Sequence, residues 1–216
     1  MSHPYWPLLD LEVRTPVLTL RYIDDTLADE LAALMSQPIH DPAEMPFGVA
    51  WTDAPEPTRQ REAYRFWARS RAHTTAESWN INLAIQRHGR AIGACSLMAE
   101  QFPTLRTFET GSWITQSEQG HGYGTEMRAA MLHLGFAGLG ATEATTAAFA
   151  DNPRSLGVTR RHGYEPNGTK RMLRRGEAAD LLRFRLGREE WAASRRDDIE
   201  LVGVEAVRDL LGIDTP

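Results

Sequence analysis

Apolar residues recur along this chain in two periods, and the changes from one period to the other divide it into elements. Val17-Leu18-Thr19-Leu20-Arg21-Tyr22 alternates in part and predicts a strand, after which Asp24 or Asp25 caps a helix carrying Leu27, Leu31, Leu34 and Met35 at helical intervals. Helical spacing returns over about 58–72, with Tyr64, Phe66 and Trp67 partly inward. Trp79 to Ile85 alternates cleanly, Arg87-His88-Gly89-Arg90 reads as a turn, and 91–99 returns as the second strand of a hairpin. A strand over 107–115 completes three sequential antiparallel strands. Next come a glycine turn at 119–124, a helix with Met127, Met131 and Leu134 on one face, and a strand over 143–149. A short helix opens at Asp151-Asn152-Pro153 and stops at Gly163, and final strands are predicted near 169–175 and 181–186. Residues 1–16, rich in proline and aromatics, predict a covering arm. Residues 188–216 predict an extension: a short helical piece, the run 199–204, and a helix through Leu210 and Leu211.

Composition narrows the class without changing this outline. With 216 residues, 42% of them hydrophobic, the chain can bury a full core as one domain with an appendage. A net charge of -5 argues against a general nucleic-acid surface. Cys95 is the only cysteine, which excludes an intrachain disulfide and a multi-cysteine metal site, and its strand-like run predicts a buried, inert thiol. The start Met1-Ser2-His3-Pro4-Tyr5-Trp6 lacks a secretory pattern, and no apolar run reaches the roughly 20 residues of a membrane span. The expectation is a soluble cytoplasmic protein without a metal. The loop from Pro38 to Pro57 is long for a compact domain, which raises the expectation of a functional one.

Gln119-Gly120-His121-Gly122-Tyr123-Gly124 follows the strand-like Gly111-Ser112-Trp113-Ile114 and leads straight into a helix. Glycines let main chain approach a ligand, and the first helical N–H groups have no internal partners, so the natural guest is a phosphate. A dinucleotide fingerprint would need glycine at 125, which is Thr, and no Gly-Lys-Ser/Thr follows for a Walker A loop. The spacing Gln/Arg-x-x-Gly-x-Gly/Ala is met by Gln119, Gly122 and Gly124, and resembles the pyrophosphate loop of the GNAT superfamily of coenzyme A-dependent N-acyltransferases. A second stretch, Asp151-Asn152-Pro153-Arg154-Ser155 through Arg160-Arg161-His162-Gly163-Tyr164, resembles that family's Asn, Ser three residues on, basic pair and Gly-Phe/Tyr. The likeness is to the ribosomal-protein N-terminal acetyltransferase type and covers about residues 15–187.

The resemblance implies an α/β (α+β) GNAT fold: a central mixed, mostly antiparallel sheet of about seven strands, helices on both faces, and a splay between two central parallel strands that holds coenzyme A. The catalytic domain would be 1–187, with 1–16 as an arm, and 188–216 would pack on that domain or on a partner chain, as in a homodimer. The diphosphate would sit on Gly120, His121, Gly122, Tyr123, Gly124 and Thr125, with Gln119 shaping the loop. His121 or Arg128 would add charge, although an exposed arginine at that point of a helix is more often just solvated. Asn152 resembles the family's coenzyme-bonding asparagine, and is also a plain helix cap. Main-chain N–H groups near Trp113 and Ile114 would hold the oxyanion. Ser155 would protonate the departing thiolate, with Tyr164 as its rival. Glu109 resembles an acidic position used as general base in several branches of the family, where burial would raise its pKa, and is equally read as a solvated strand residue. At the family's other glutamate position stands Arg174, with Glu177 three residues beyond, so that base does not carry over. Arg171, Arg174 and Arg175 admit succinyl-CoA beside acetyl-CoA as donor. Met45, Phe47 and Trp51 would line the acceptor site, for a protein, peptide or small-molecule amine. The alternative is a non-catalytic acyl-CoA-binding module of the same fold.

Overall fold

The computed structural model describes residues 3–213; the first two residues of the arm and the last three of the extension lie outside the described residues. The strands are β1 (Glu12–Arg14), β2 (Thr19–Tyr22), β3 (Trp79–Arg87), β4 (Arg90–Ala99), β5 (Thr107–Ile114), β6 (Glu143–Phe149), β7 (Glu165–Arg174), β8 (Glu177–Gly187) and β9 (Glu200–Val202). The helices are α1 (Asp25–Leu34), α2 (Thr58–Ala72), α3 (Phe102–Leu105), α4 (Tyr123–His133), α5 (Pro153–Arg161), α6 (Arg188–Ala193) and α7 (Val204–Leu210). One sheet runs in the order β7-β8-β6-β5-β4-β3-β2-β1-β9. Every pair in it is antiparallel except β5 with β6. The sheet thus has nine strands where about seven were expected.

Helices cover both faces, and side-chain size decides which helix lies where. On one face Ala84, Ala91 and Ala94 are buried, and their small side chains admit α1 and α2 through Leu27, Leu31, Ala63 and Trp67. Asp24 caps α1, accepting from the Leu27 N–H at 2.8 Å. On the other face Ile81, Leu83, Ile85, Cys95, Leu97 and Phe108 meet Met127 and Met131 of α4 and Leu134 just after it, together with Leu156 of α5. After His133 the helix widens into one π-helical turn, Leu134–Gly138. There Gly135 lies against the Phe108 ring so closely that any β-carbon would overlap it.

The arm and the extension both join the central sheet. The arm contains β1, which pairs with β2 on one side and with β9 of the extension on the other, joining Glu12–Arg14 to Glu200–Val202. The extension packs on its own domain. Trp191 stacks on Phe136 at 5.0 Å, and Arg196 makes paired hydrogen bonds to Glu126 at 2.6 and 3.1 Å. Among the described residues no helix is long and apolar enough to cross a membrane.

Candidate active site

The parallel pair β5–β6 is joined only at Thr107↔Glu143, Phe108↔Ala144 and Glu109↔Thr145. Beyond Glu109 the strands part into a wedge, bridged at its start by long side-chain bonds of 3.4 Å, Thr110 Oγ1 to Thr145 O and Thr146 Oγ1 to Thr110 O. Strand geometry then decides which amides face the gap. Thr110 O accepts from the β6 side and Ile114 O from Gln119, whereas Trp113 O lies against Gly93 of β4 and the Thr115 N–H bonds Ile92 O of β4. Alternation puts the main-chain groups of Thr110, Ser112 and Ile114 toward the wedge and that of Trp113 toward β4. Of the two residues expected near the oxyanion, Ile114 turns its main-chain groups to the gap and Trp113 turns them to β4; those of Ser112 also face the gap. No sequence signal marked Ser112, because facing direction depends on the β4–β5 register.

At the wedge's open end, Gly120 (φ +82°) and Gly122 (φ +85°) take left-handed backbone, and a β-carbon at either would meet nothing within 4 Å. Conformation, not space, therefore requires glycine at these two positions. The Thr125 and Glu126 amides already bond Gly122 O, while those of Tyr123 and Gly124 precede the helix's first internal bonds. Gln119 ties the turn together. Its Nε2 donates to Ile39 O at 2.7 Å and Ile114 O at 2.8 Å, and its Oε1 accepts from Arg154 at 2.6 Å. His121 stacks on Tyr123, and the Arg87 guanidinium lies 5.2 Å from the Tyr123 ring centre.

Ser155 and Tyr164 are placed at opposite ends. Ser155 is half-buried in the first turn of α5, just beyond the end of β6, where Asn152 Oδ1 caps its N–H at 3.1 Å. Tyr164 is 5% exposed and enters β7 where Glu165 pairs with Arg185, level with the closed end of the wedge. Its hydroxyl is buried without a partner.

Glu109 and Trp113 lie on the α1–α2 face. Glu109 is exposed. An aromatic chain leads to Trp113: His40 to Phe47 (5.6 Å), Phe47 to Trp51 (5.1 Å) and Trp51 to Trp113 (5.8 Å). Phe47 and Trp51 are partly buried there, while Met45 of the same loop is buried. The β7–β8 turn holds this loop down. Arg175 pairs with Asp53 at 2.5 and 2.8 Å and donates to Pro42 O and Glu44 O. Arg174 pairs with Asp151 and donates to Met45 O. Both carboxyls are held below the usual carboxylate range by these guanidiniums. Arg174 and Arg175 are thus engaged within the chain, while Arg171, the third arginine of the expected cluster, is exposed.

His162, at the end of α5, donates Nε2–H to Thr125 O at 3.0 Å, and burial pushes its pKa down to about 4. The unfolded chain protonates this ring below its ordinary 6.5 while the fold keeps it neutral, so stability is present above that value and is lost as pH falls toward 4. Between pH 7 and pH 5 the loss is expected to be about 2 kcal/mol. Urea midpoints at both pH values check it, and His162→Gln is expected to flatten the difference.

A family model described as Acetyltransferase (GNAT) domain matches residues 18–165. Among solved structures, Mycobacterium smegmatis RimJ in complex with CoA-disulfide is 20% identical, with 90% of this chain and 98% of that one covered and a TM-score of 0.68. RimL, a ribosomal L7/L12 alpha-N-protein acetyltransferase in complex with coenzyme A, is 17% identical over 80% and 95% of the chains, TM-score 0.65. Mutant forms of the spermidine/spermine N-acetyltransferase SpeG from Vibrio cholerae are 15% identical over 83% and 98%, TM-score 0.64. These similarities show a shared fold. With the family match across two thirds of its length and the wedge, turn and capped α5 in the arrangement described, the chain belongs to the GNAT acetyltransferase family.

Proposed function

We propose that this acetyltransferase moves an acetyl group from acetyl-CoA to the α-amine of a peptide or protein in the cytoplasm. The observation that carries this reading is the open wedge between β5 and β6, with the glycine turn and Ser155 at its mouth and an exposed, not buried, Glu109 beside it. The diphosphate would rest on the turn's amides and the pantetheine arm would enter the wedge. The amine nitrogen would attack the thioester carbon from the α1–α2 face, along the wall of Phe47, Trp51 and Trp113. Amides of Ser112 and Ile114 would stabilise the oxyanion, and the Ser155 hydroxyl would supply a proton to the departing sulfur.

Acceptor choice follows from the missing buried base. A free α-amine, with pKa near 8, is neutral in roughly a quarter of molecules at physiological pH, whereas an alkyl amine near 10.4 is neutral in roughly one in a thousand. A site without a strong base favours the former. Asp53 is held by Arg175, which leaves the loop less able to pair a polycation. Acetyl is favoured over succinyl because Arg174 and Arg175 are engaged.

Thiol release from acetyl-CoA and succinyl-CoA, measured against peptides, polyamines and amino acids, tests the reading. Acetyl-CoA with a peptide is expected to turn over fastest, with kcat/KM rising to a plateau above about pH 8 as the α-amine loses its proton. Faster turnover of spermidine, or a preference for succinyl-CoA, would reject the acceptor or the donor. Coenzyme binding with no turnover on any amine would favour a binding module.

A further inference from the structure

Beneath the wedge lies a cation that none of these contacts uses. Arg128, in the second turn of α4, is 4% exposed, where a solvated side chain was one of the two expectations. Its Nε and Nη1 are sealed from solvent without a hydrogen-bond partner, and among the described residues no ion pair includes it. Its Cζ stands 5.8 Å from the centre of the Tyr164 ring, whose own hydroxyl is buried and unpartnered. A guanidinium stays protonated in a protein, so this is a fixed positive charge. Burying one without a counter-ion is costly, and the ring face offsets that cost only in part.

The surroundings show where that charge is felt. It reaches Cys95 on β4, whose register partner is Ser112 of β5, and Tyr164 on the β6–β8 side. It therefore lies on the α4 face of the sheet where β5 and β6 begin to part, the face that also carries the buried Thr110 and Thr146. It is not at the glycine turn: Arg128 is six residues past Gly122, about 9 Å along the helix axis, and its side chain reaches toward the sheet and Tyr164. With Nε and Nη1 sealed, the charge acts through space on whatever anion forms in the wedge.

Resting on the coenzyme A-dependent transfer proposed above, we infer that Arg128 is the fixed positive charge that stabilises the thiolate of coenzyme A as it departs. In that step the new C–N bond has formed, and the C–S bond breaks with its electron pair going to sulfur. The carbonyl re-forms, the surplus proton of the amine passes to water, and sulfur then takes one from the Ser155 hydroxyl, which water replenishes. The sulfur carries a full negative charge only in between, so a preorganised cation under the wedge lowers that state without binding the thioester more tightly. Arg128 is a positioning charge and not a catalytic residue, since it touches no reacting atom.

The bound thiol can be titrated with little interference. Of the titratable groups facing Arg128, Cys95 is pushed far up by burial and His162 down to about 4, and Tyr164 can be removed by Tyr164→Phe in every protein compared. The experiment is the ultraviolet difference between the coenzyme A and desulfo-coenzyme A complexes as pH rises. The bound thiol is expected to ionise at lower pH than free coenzyme A, and about one pH unit lower than in Arg128→Met, a tenfold difference in thiolate affinity. Arg128→Lys is expected to restore most of the shift, and desulfo-coenzyme A affinity to be the same in all three proteins. A Met variant with an unchanged thiol titration would overturn the inference. Equal loss of both ligands in that variant would assign the charge to the diphosphate instead, again overturning it. If Arg128→Met fails to fold, the wild-type comparison decides alone: a bound thiol ionising at or above the free value rejects the idea. Absence of coenzyme binding by the wild type would instead remove the reading on which it rests.

Discussion

Gly93→Ala is expected to destabilise the protein by about 3 kcal/mol, lowering its melting temperature by roughly 10 °C, and to abolish most acetyl transfer. A β-carbon there would overlap the Trp113 carbonyl oxygen and stand 2.8 Å from the Ile114 Cα. Both obstacles are backbone, so no side-chain rotation relieves them; the end of β5 must move away from β4. That end carries the Ser112 and Ile114 amides that face the wedge. Urea midpoints together with turnover of acetyl-CoA check both halves of the expectation, and an unchanged midpoint would show that β5 yields freely. Gly122→Ala should behave differently. Its β-carbon meets nothing within 4 Å, and the strain comes from φ +85° alone, so the fold should lose about 1 kcal/mol while coenzyme affinity falls.

Ser155→Ala is expected to lower kcat about 100-fold with little change in the KM for acetyl-CoA. The cap of α5 survives this change, because Asn152 bonds the Ser155 main-chain N–H and not its hydroxyl. Thermal stability should therefore hold, which separates lost proton transfer from lost structure. Tyr164→Phe is the matching control. Its hydroxyl is buried without a partner at the closed end of the wedge, so removal should leave kcat within about twofold and the fold as stable or slightly more so. A large rate loss in Tyr164→Phe with none in Ser155→Ala would reverse the two assignments.

The parts of the site that could be read from residues are those with local causes. Left-handed glycines at 120 and 122, the Asn152 cap with Pro153 behind it, and the Gly163 stop each follow from a few neighbouring residues. Other features depend on distant chain. The exposure of Glu109 follows from how far α1 and α2 reach across the sheet. Arg174 and Arg175 looked like free charges because Asp151 and Asp53, 23 and 122 residues away, are brought to them only by folding. Arg128 reads in the sequence as a charge for the diphosphate or as a solvated side chain, and its burial against Tyr164 comes only with folding. The strands β1 and β9 have three residues each, too few for a period to show, and each is recognisable as a strand only through its pairing.

The β1–β9 pair also sets a timetable. Its partners are separated by nearly the whole chain, so the sheet's last edge cannot close until synthesis has passed Val202. The wedge lies on the far side of β4, β3 and β2 from that edge. Both termini of the described chain thus gather beside one border of the molecule, and a tether or reporter fused at either end would hang there, away from the wedge.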